Sequence, residues 1–216
     1  MADEKDRSPE QNDILKKLRA IGGDFWGDSP AEPAPAAAEA PKAKKPAEKK
    51  PGIDQLWMTA DETVDWTDAL AYDQPRDGLT APGLWRFYHE NARQVLTGDV
   101  QAYAQVLRRT NPLSELTIYC DGLTMRAPSA ERLEASFTCR PKLVQEKEKL
   151  YLAALGVRIA RDLLACLPVE EAGVQAWHEG RIVFTCTYPR EKLLHRNYRF
   201  LDPIAFSEEC GATFSL

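Results

Sequence analysis

The stretch from Lys142 to Leu167, KLVQEKEKLYLAALGVRIARDLLACL, constrains the fold of this chain more than any other. Its first turns are charged, and Leu150 to Val157 then runs without a charge. Leu152, Leu155, Ile159, Leu163 and Cys166 recur at helical spacing, with Ala153, Gly156, Ala160, Leu164 and Leu167 beside them. So wide an apolar face predicts a long helix covered on more than one side. Ala153, Gly156 and Ala160 leave room for another element to approach closely.

Strand patterns flank this helix. LTIYC and LTMRA, joined by Asp121-Gly122, read as two alternating strands around a two-residue type I′ turn. Arg132 to Arg140 alternates as a third strand, with Leu133, Ala135, Phe137 and Cys139 on one side. After Pro168, Gly173–Trp177 and Ile182–Tyr188 read as a second hairpin around His178-Glu179-Gly180-Arg181. In that register Trp177 faces Ile182 and Gln175 faces Phe184, while Val174, Ala176, Val183, Thr185 and Thr187 share the other side. Short segments follow: Pro189 to Leu194, a helix starting at Asp202-Pro203, and an edge strand near Ala212 to Leu216.

Ahead of the strands, Thr59 with Glu62 fits a capping box for a helix over Ala60 to Tyr72. Pro82 starts a second helix that runs to about Leu96. Asp99 caps a third, which Asn111-Pro112 stops. The expected fold class is therefore α+β. An antiparallel sheet of about five to six strands, in β-β-β-α-β-β order, packs on a long central helix. Two or three helices and a disordered N-terminal linker precede it.

The segment order is equally readable. Residues 1–28 hold a short amphipathic helix, 29–52 an Ala/Pro/Lys linker, 53–83 an acidic extension with two tryptophans, and 84–216 the α+β globular domain. The linker lacks aromatic and β-branched residues, so it buries too little to offset the entropy of ordering. In the N-terminal helix Ile14, Leu15, Leu18 and Ile21 share one face, and Phe25 and Trp26 follow Gly22-Gly23. A helix this short is marginal in water unless it packs on something. It either docks on its own domain or folds on a partner, and a hydrophobic helix held on a tether is the pattern of a partner-binding motif.

Charge narrows the function classes. The formal net charge of −5 is concentrated in residues 53–83, with seven acidic groups and one arginine; residues 84–216 come to +1. A nearly neutral body is not built mainly to grip a polyanion. The opening MADEKDRSPEQ holds no apolar run of a signal peptide, and no stretch reaches the length of a membrane span. The five cysteines form no CxxC pair, and the first four, Cys120, Cys139, Cys166 and Cys186, fall on core-facing positions as reduced thiols, so the cytoplasm is the expected compartment.

Catalytic motifs are not visible: there is no phosphate-binding glycine loop, no GxSxG and no HExxH. Asp61, Glu62, Asp65 and Asp68 lack the spacing of a calcium loop. His178, Cys186, His195 and Cys210 carry no ligand spacing. No catalytic, cofactor or metal residue is assigned. The leading expectation is a non-enzymatic cytoplasmic adaptor that recruits a protein partner through Ile14, Leu15, Leu18, Ile21, Phe25 and Trp26.

An alternative rests on element order. Helix, three strands, helix, strand over about 84–188 resembles the core of restriction-endonuclease-like nucleases. That resemblance implies carboxylates and a lysine on the second and third strands. Here Asp121 sits in the turn, and Glu134-Ala135-Ser136 has no lysine, so the implied domain is catalytically degenerate. The basic, aromatic run with Arg190, Lys192, Arg196, Tyr198 and Arg199 would then bind nucleic acid.

Overall fold

The structure is a computed structural model that describes residues 51–76, 78, 80–194 and 196–215. The N-terminal helix and the linker up to residue 50 lie outside the described residues. Helix α1 spans Trp66–Ala71, α2 Pro82–Leu96 and α3 Val100–Thr110. Strands β1 (Cys120–Arg126) and β2 (Arg132–Cys139) lead into the 26-residue α4, Pro141–Cys166. Strands β3 (Glu171–His178) and β4 (Arg181–Pro189) follow, then α5 (Arg190–Leu194), α6 (Pro203–Glu209) and the short β5, Thr213–Phe214.

The class is α+β, but the sheet is mixed rather than antiparallel. Its order is β1-β2-β3-β4-β5, and β2 and β3 run parallel from Arg132↔Glu171 to Thr138↔Trp177. Helix α4 causes this. It leaves the far end of β2 and carries the chain back along the sheet, so β3 starts beside the start of β2. A helical crossover of this length joins parallel strands, whereas antiparallel neighbours need only a turn.

Two strands, not three, precede α4. The expected first strand, LTIYC, is instead a 3₁₀ turn over Ser114–Ile118 followed by Tyr119 in the helical region. Its carbonyls find partners off the sheet. Arg140 donates to the Ile118 and Thr117 oxygens at 2.6 and 2.9 Å, and the Tyr151 hydroxyl donates to the Tyr119 oxygen at 2.8 Å. Leu116 and Cys120 are buried in the core. Asp121-Gly122 therefore makes no turn: it lies inside β1 where the register shifts between Asp121 and Thr124, with Gly122 at φ +56°. The same left-handed chemistry that serves a tight turn serves a β-bulge here.

The second hairpin keeps its turn and changes its register. Glu179 and Gly180 sit at φ +49° and +76°, which is the type I′ geometry, and Trp177 pairs with Ile182. A shift between Ala176 and Trp177 then sets Ala176 opposite Phe184 and Gln175 opposite Thr185. The one-residue slip exchanges the faces of β4. Phe184, Cys186 and Tyr188 enter the core, while Thr185 and Thr187 turn outward with Gln175.

Helix α4 lies between two covers. Leu152, Leu155, Ile159 and Leu163 have no exposed surface, and they share one core with Leu133, Phe137, Val174 and Phe184. The acidic extension forms the other cover. The Trp66 indole N–H donates to the Cys166 oxygen, the Val64 amide to Ala165, and the Asp61 amide to the Asp162 carboxylate, each at 2.9 Å. Arg158, 5% exposed, donates to Asp162 at 2.7 Å and also to Thr59. Thr59 itself donates to the Leu56 oxygen and caps no helix; α1 starts later, on Asp65, which accepts from the Thr67 and Asp68 amides. Ahead of its packed part, α4 breaks at Lys147, where φ −153° and ψ +61° leave the helical region.

Gly156 marks the closest approach of helix to sheet. A Cβ there would lie 2.8 Å from the Tyr188 hydroxyl and 2.9 Å from the Phe184 ring, both in fully buried side chains. Gly156→Ala would gain about 1 kcal/mol in helix propensity and lose about 1–3 kcal/mol to overpacking against rings that cannot shift. Urea unfolding followed by circular dichroism should show the alanine variant destabilised and Gly156→Leu without a cooperative transition. A leucine variant melting like the parent would mean that helix and sheet stand further apart.

Candidate functional site

Each strand of a one-sided sheet sends alternate residues to opposite faces. The face away from α4 carries Thr124 and Arg126 from β1, Arg132, Glu134 and Ser136 from β2, and Gly173, Gln175 and Trp177 from β3. Strand β4 adds Thr185 and Thr187, and the turn after α6 adds Cys210 and Gly211 at the rim. Together they line an open groove of about 720 Å³, within the range that encloses a small ligand.

The β1–β2 half of this groove is satisfied from within. Arg126 donates to Glu134 at 2.7 Å, Arg132 to Glu134 at 3.0 Å and to Glu171 at 2.6 Å, so two cations and two carboxylates alternate across three strands. The Arg132 guanidinium lies over Gly173, where a Cβ would come within 2.8 Å of Nη2. Burial works against the charge on Glu134, but hydrogen bonds and charge from Arg126 and Arg132 outweigh it and hold its carboxyl below the usual range. The hydroxyls of Thr124 and Ser136 bond each other at 2.8 Å.

The β3–β4 half differs. The amide of Gln175, the hydroxyls of Thr185 and Thr187, and the indole N–H of Trp177 are half-buried. None of the four makes a hydrogen bond to protein among the described residues. The pairings Gln175↔Thr185 and Gly173↔Thr187 bring the two hydroxyls beside the amide. Burial raises both thiols at this end, Cys210 above its ordinary pKa and Cys186 up to about 12, which disfavours the reactive thiolate.

The residues expected to bind partners sit elsewhere. Ile14, Leu15, Leu18, Ile21, Phe25 and Trp26 lie outside the described residues. Arg190 is turned inward and donates to the carbonyls of Val169, Leu164 and Leu167, capping the end of α4. Lys192 donates to the Glu209 oxygen, and Arg196 pairs with the Glu209 carboxylate while lying over the Phe206 ring. The Tyr198 hydroxyl donates to Leu193, and its ring lies 3.5 Å under the Arg161 guanidinium. Arg199 is exposed, next to Phe200, which is 82% exposed.

The carboxylates of the nuclease resemblance are likewise engaged, Asp121 by Arg140 and Glu134 by its two arginines. With two strands ahead of α4, the element order behind that resemblance is not the observed one. Among the described residues no cluster of three or more His, Cys, Asp or Glu could hold a metal ion. His195 lies outside them. His89 Nδ1 is 2.7 Å from the Ala69 carbonyl oxygen and belongs to the α1–α2 contact. Comparison of the chain with protein-family models, curated sequences and solved structures finds no match.

The thiols supply a test of the packing. Burial pushes Cys120, Cys139 and Cys186 up to about 12 and Cys166 up to about 11. The thiolate is the reactive form, so an aromatic disulfide reagent at about pH 8 should titrate no more than Cys210 in the native protein. Denaturant should release all five. Two or more fast thiols in the native chain would mean that the sheet–helix core is open.

Proposed function

We propose that the chain is a non-enzymatic adaptor with two recognition elements. The tethered motif Ile14, Leu15, Leu18, Ile21, Phe25 and Trp26 recruits a protein partner, and the open face of the sheet takes a ligand. The carrying observation is the contrast within the groove: one half pairs its charged groups with one another, and the other leaves Gln175, Trp177, Thr185 and Thr187 without a hydrogen-bond partner among the described residues. These polar atoms are open to water, which satisfies them until a ligand with matching donors and acceptors takes its place. Burial raises the groove's thiols and its carboxylates are committed to arginines, which suits recognition better than covalent or acid–base chemistry. The cytoplasm is the compartment proposed. Among the described residues no helix is long and apolar enough to cross a membrane.

Affinity capture from the source cells tests the two-element reading, using the full chain, a deletion of residues 1–28, and Trp177→Ala. An adaptor predicts that the deletion and the groove variant each lose a different subset of bound material. The same set retained by all three would overturn it.

A second reading, nucleic-acid binding through Arg190, Lys192, Arg196, Tyr198 and Arg199, draws its support from the exposed Arg199–Phe200 pair, a cation beside an aromatic ring. Phosphate contacts make affinity fall steeply with salt. With most of these side chains engaged by protein, titration with single-stranded DNA and RNA should show weak binding at low salt with a shallow slope. Tight binding with a steep slope, lost in Arg199→Ala, would favour the second reading over the adaptor.

A further inference from the structure

We infer that the ligand of the groove is a neutral, polyhydroxylated molecule, a short oligosaccharide, bound over β3 and β4 with Trp177 as its stacking platform. This rests on the reading of the sheet face as a ligand site and names the chemistry that would fill it.

Charge comes first. Arg126, Glu134, Arg132 and Glu171 neutralise one another through contacts of 2.6–3.0 Å. Each guanidinium keeps spare N–H donors, but its charge is already matched by Glu134 or Glu171. A phosphate or carboxylate ligand therefore gains little net attraction here, and a cationic ligand meets carboxylates already paired with arginines. A neutral ligand depends on neither charge. The free groups are an amide, two hydroxyls and an indole N–H, and all of them are uncharged. Gln175, Thr185 and Thr187 each offer both a donor and an acceptor. Their natural complement is a group that also does both, and an array of ligand hydroxyls is such a group.

Shape supports the same choice. Successive residues on one face of a strand stand about 7 Å apart, so the row Gly173/Thr187, Gln175/Thr185, Trp177/Ile182 spans about 14 Å. That accommodates roughly two to three linked pyranose rings. At one end Trp177 offers an aromatic ring, with Ile182, 40% exposed, as its cross-strand partner. A sugar ring is apolar on its C–H face and polar at its rim, so it can stack on indole while its hydroxyls reach Gln175 and the threonines. At the other end the Arg132 guanidinium lies over Gly173 and closes the row, leaving Thr187 as the last free hydroxyl.

A polypeptide fits less well. The amides and carbonyls of β3 are committed on both sides, to β2 and to β4. A peptide lying across this face would find no backbone ladder, and its own backbone groups would be buried against side chains too few to satisfy them.

Calorimetric titration of the full chain with maltotriose, cellotriose, chitotriose and xylotriose tests the assignment. At least one should bind with a dissociation constant below about 1 mM. The shape-conserving variants Gln175→Leu and Thr185→Val/Thr187→Val should weaken it at least tenfold while keeping the parent's thermal unfolding, and Trp177→Ala should abolish it. Deleting residues 1–28 should leave it unchanged. No heat from any of the four at millimolar concentration, or binding that survives all three groove variants, overturns the saccharide assignment. In that event loss of captured material in Trp177→Ala keeps the groove as a binding face for another ligand. No change in either experiment removes the ligand site itself.

Discussion

Burial of α4 on both sides is the constraint on which the rest of the structure depends. From Tyr151 to Ala160 every helix residue is buried, so the helix needs a sheet against one side and a second cover against the other. The sheet presents Leu133, Phe137, Val174 and Phe184, and Gly156 lets it come close. The second cover is the acidic extension, held by the Arg158–Asp162 pair and by hydrogen bonds from Asp61, Val64 and Trp66. That buried pair is better understood as a locator than as a source of stability. Desolvation of both ions offsets much of their attraction, and it pushes the Asp162 carboxyl up to about 7, against which Arg158 and the Asp61 amide pull it down. Removing one partner would strand the other in the core.

The groove follows from the same constraint. Because α4 covers one face of the sheet, the other face is left to the alternate residues of each strand. Because α4 is a crossover, β2 and β3 run parallel and in register, which sets Arg132 beside Glu171 and Glu134 beside Gly173. The ion ladder is therefore a product of topology. The bulge in the second hairpin completes the site by turning Thr185 and Thr187 to the groove and Phe184, Cys186 and Tyr188 to the core. One extra residue in β4 thus decides both the packing against Gly156 and the polar lining of the ligand face.

Much of the fold was legible locally, because it depends on caps, turns and periodicity that act within a few residues. Helices α2 and α3, the Glu179-Gly180 turn and the span of α4 all have such signals. The misreadings share one cause: a local signal with two tertiary outcomes. Asp121-Gly122 supplies a left-handed backbone, which serves a hairpin turn or a bulge equally well; Arg140 and Tyr151, distant in sequence, select the bulge by taking the carbonyls of residues 117–119. The basic run around Arg190 and Arg196 has the composition of a phosphate-binding patch. Its fate was set by the carbonyls at the end of α4 and by Glu209. Thr185 and Thr187 stood in plain view as strand residues, but their face depends on a bulge that no residue in β4 announces.

By itself the sequence determined that a long, widely apolar helix lies between two strand-rich segments, that the body is nearly neutral, and that Cys120, Cys139, Cys166 and Cys186 face the core. Those properties follow from which residues are apolar and how they are spaced. Tertiary structure alone decided that the sheet is mixed, that Arg190 caps a helix, and that Gln175, Trp177, Thr185 and Thr187 share one open face. These are matters of register and of long-range hydrogen bonding. A slip of a single residue reverses a strand's faces without changing its composition.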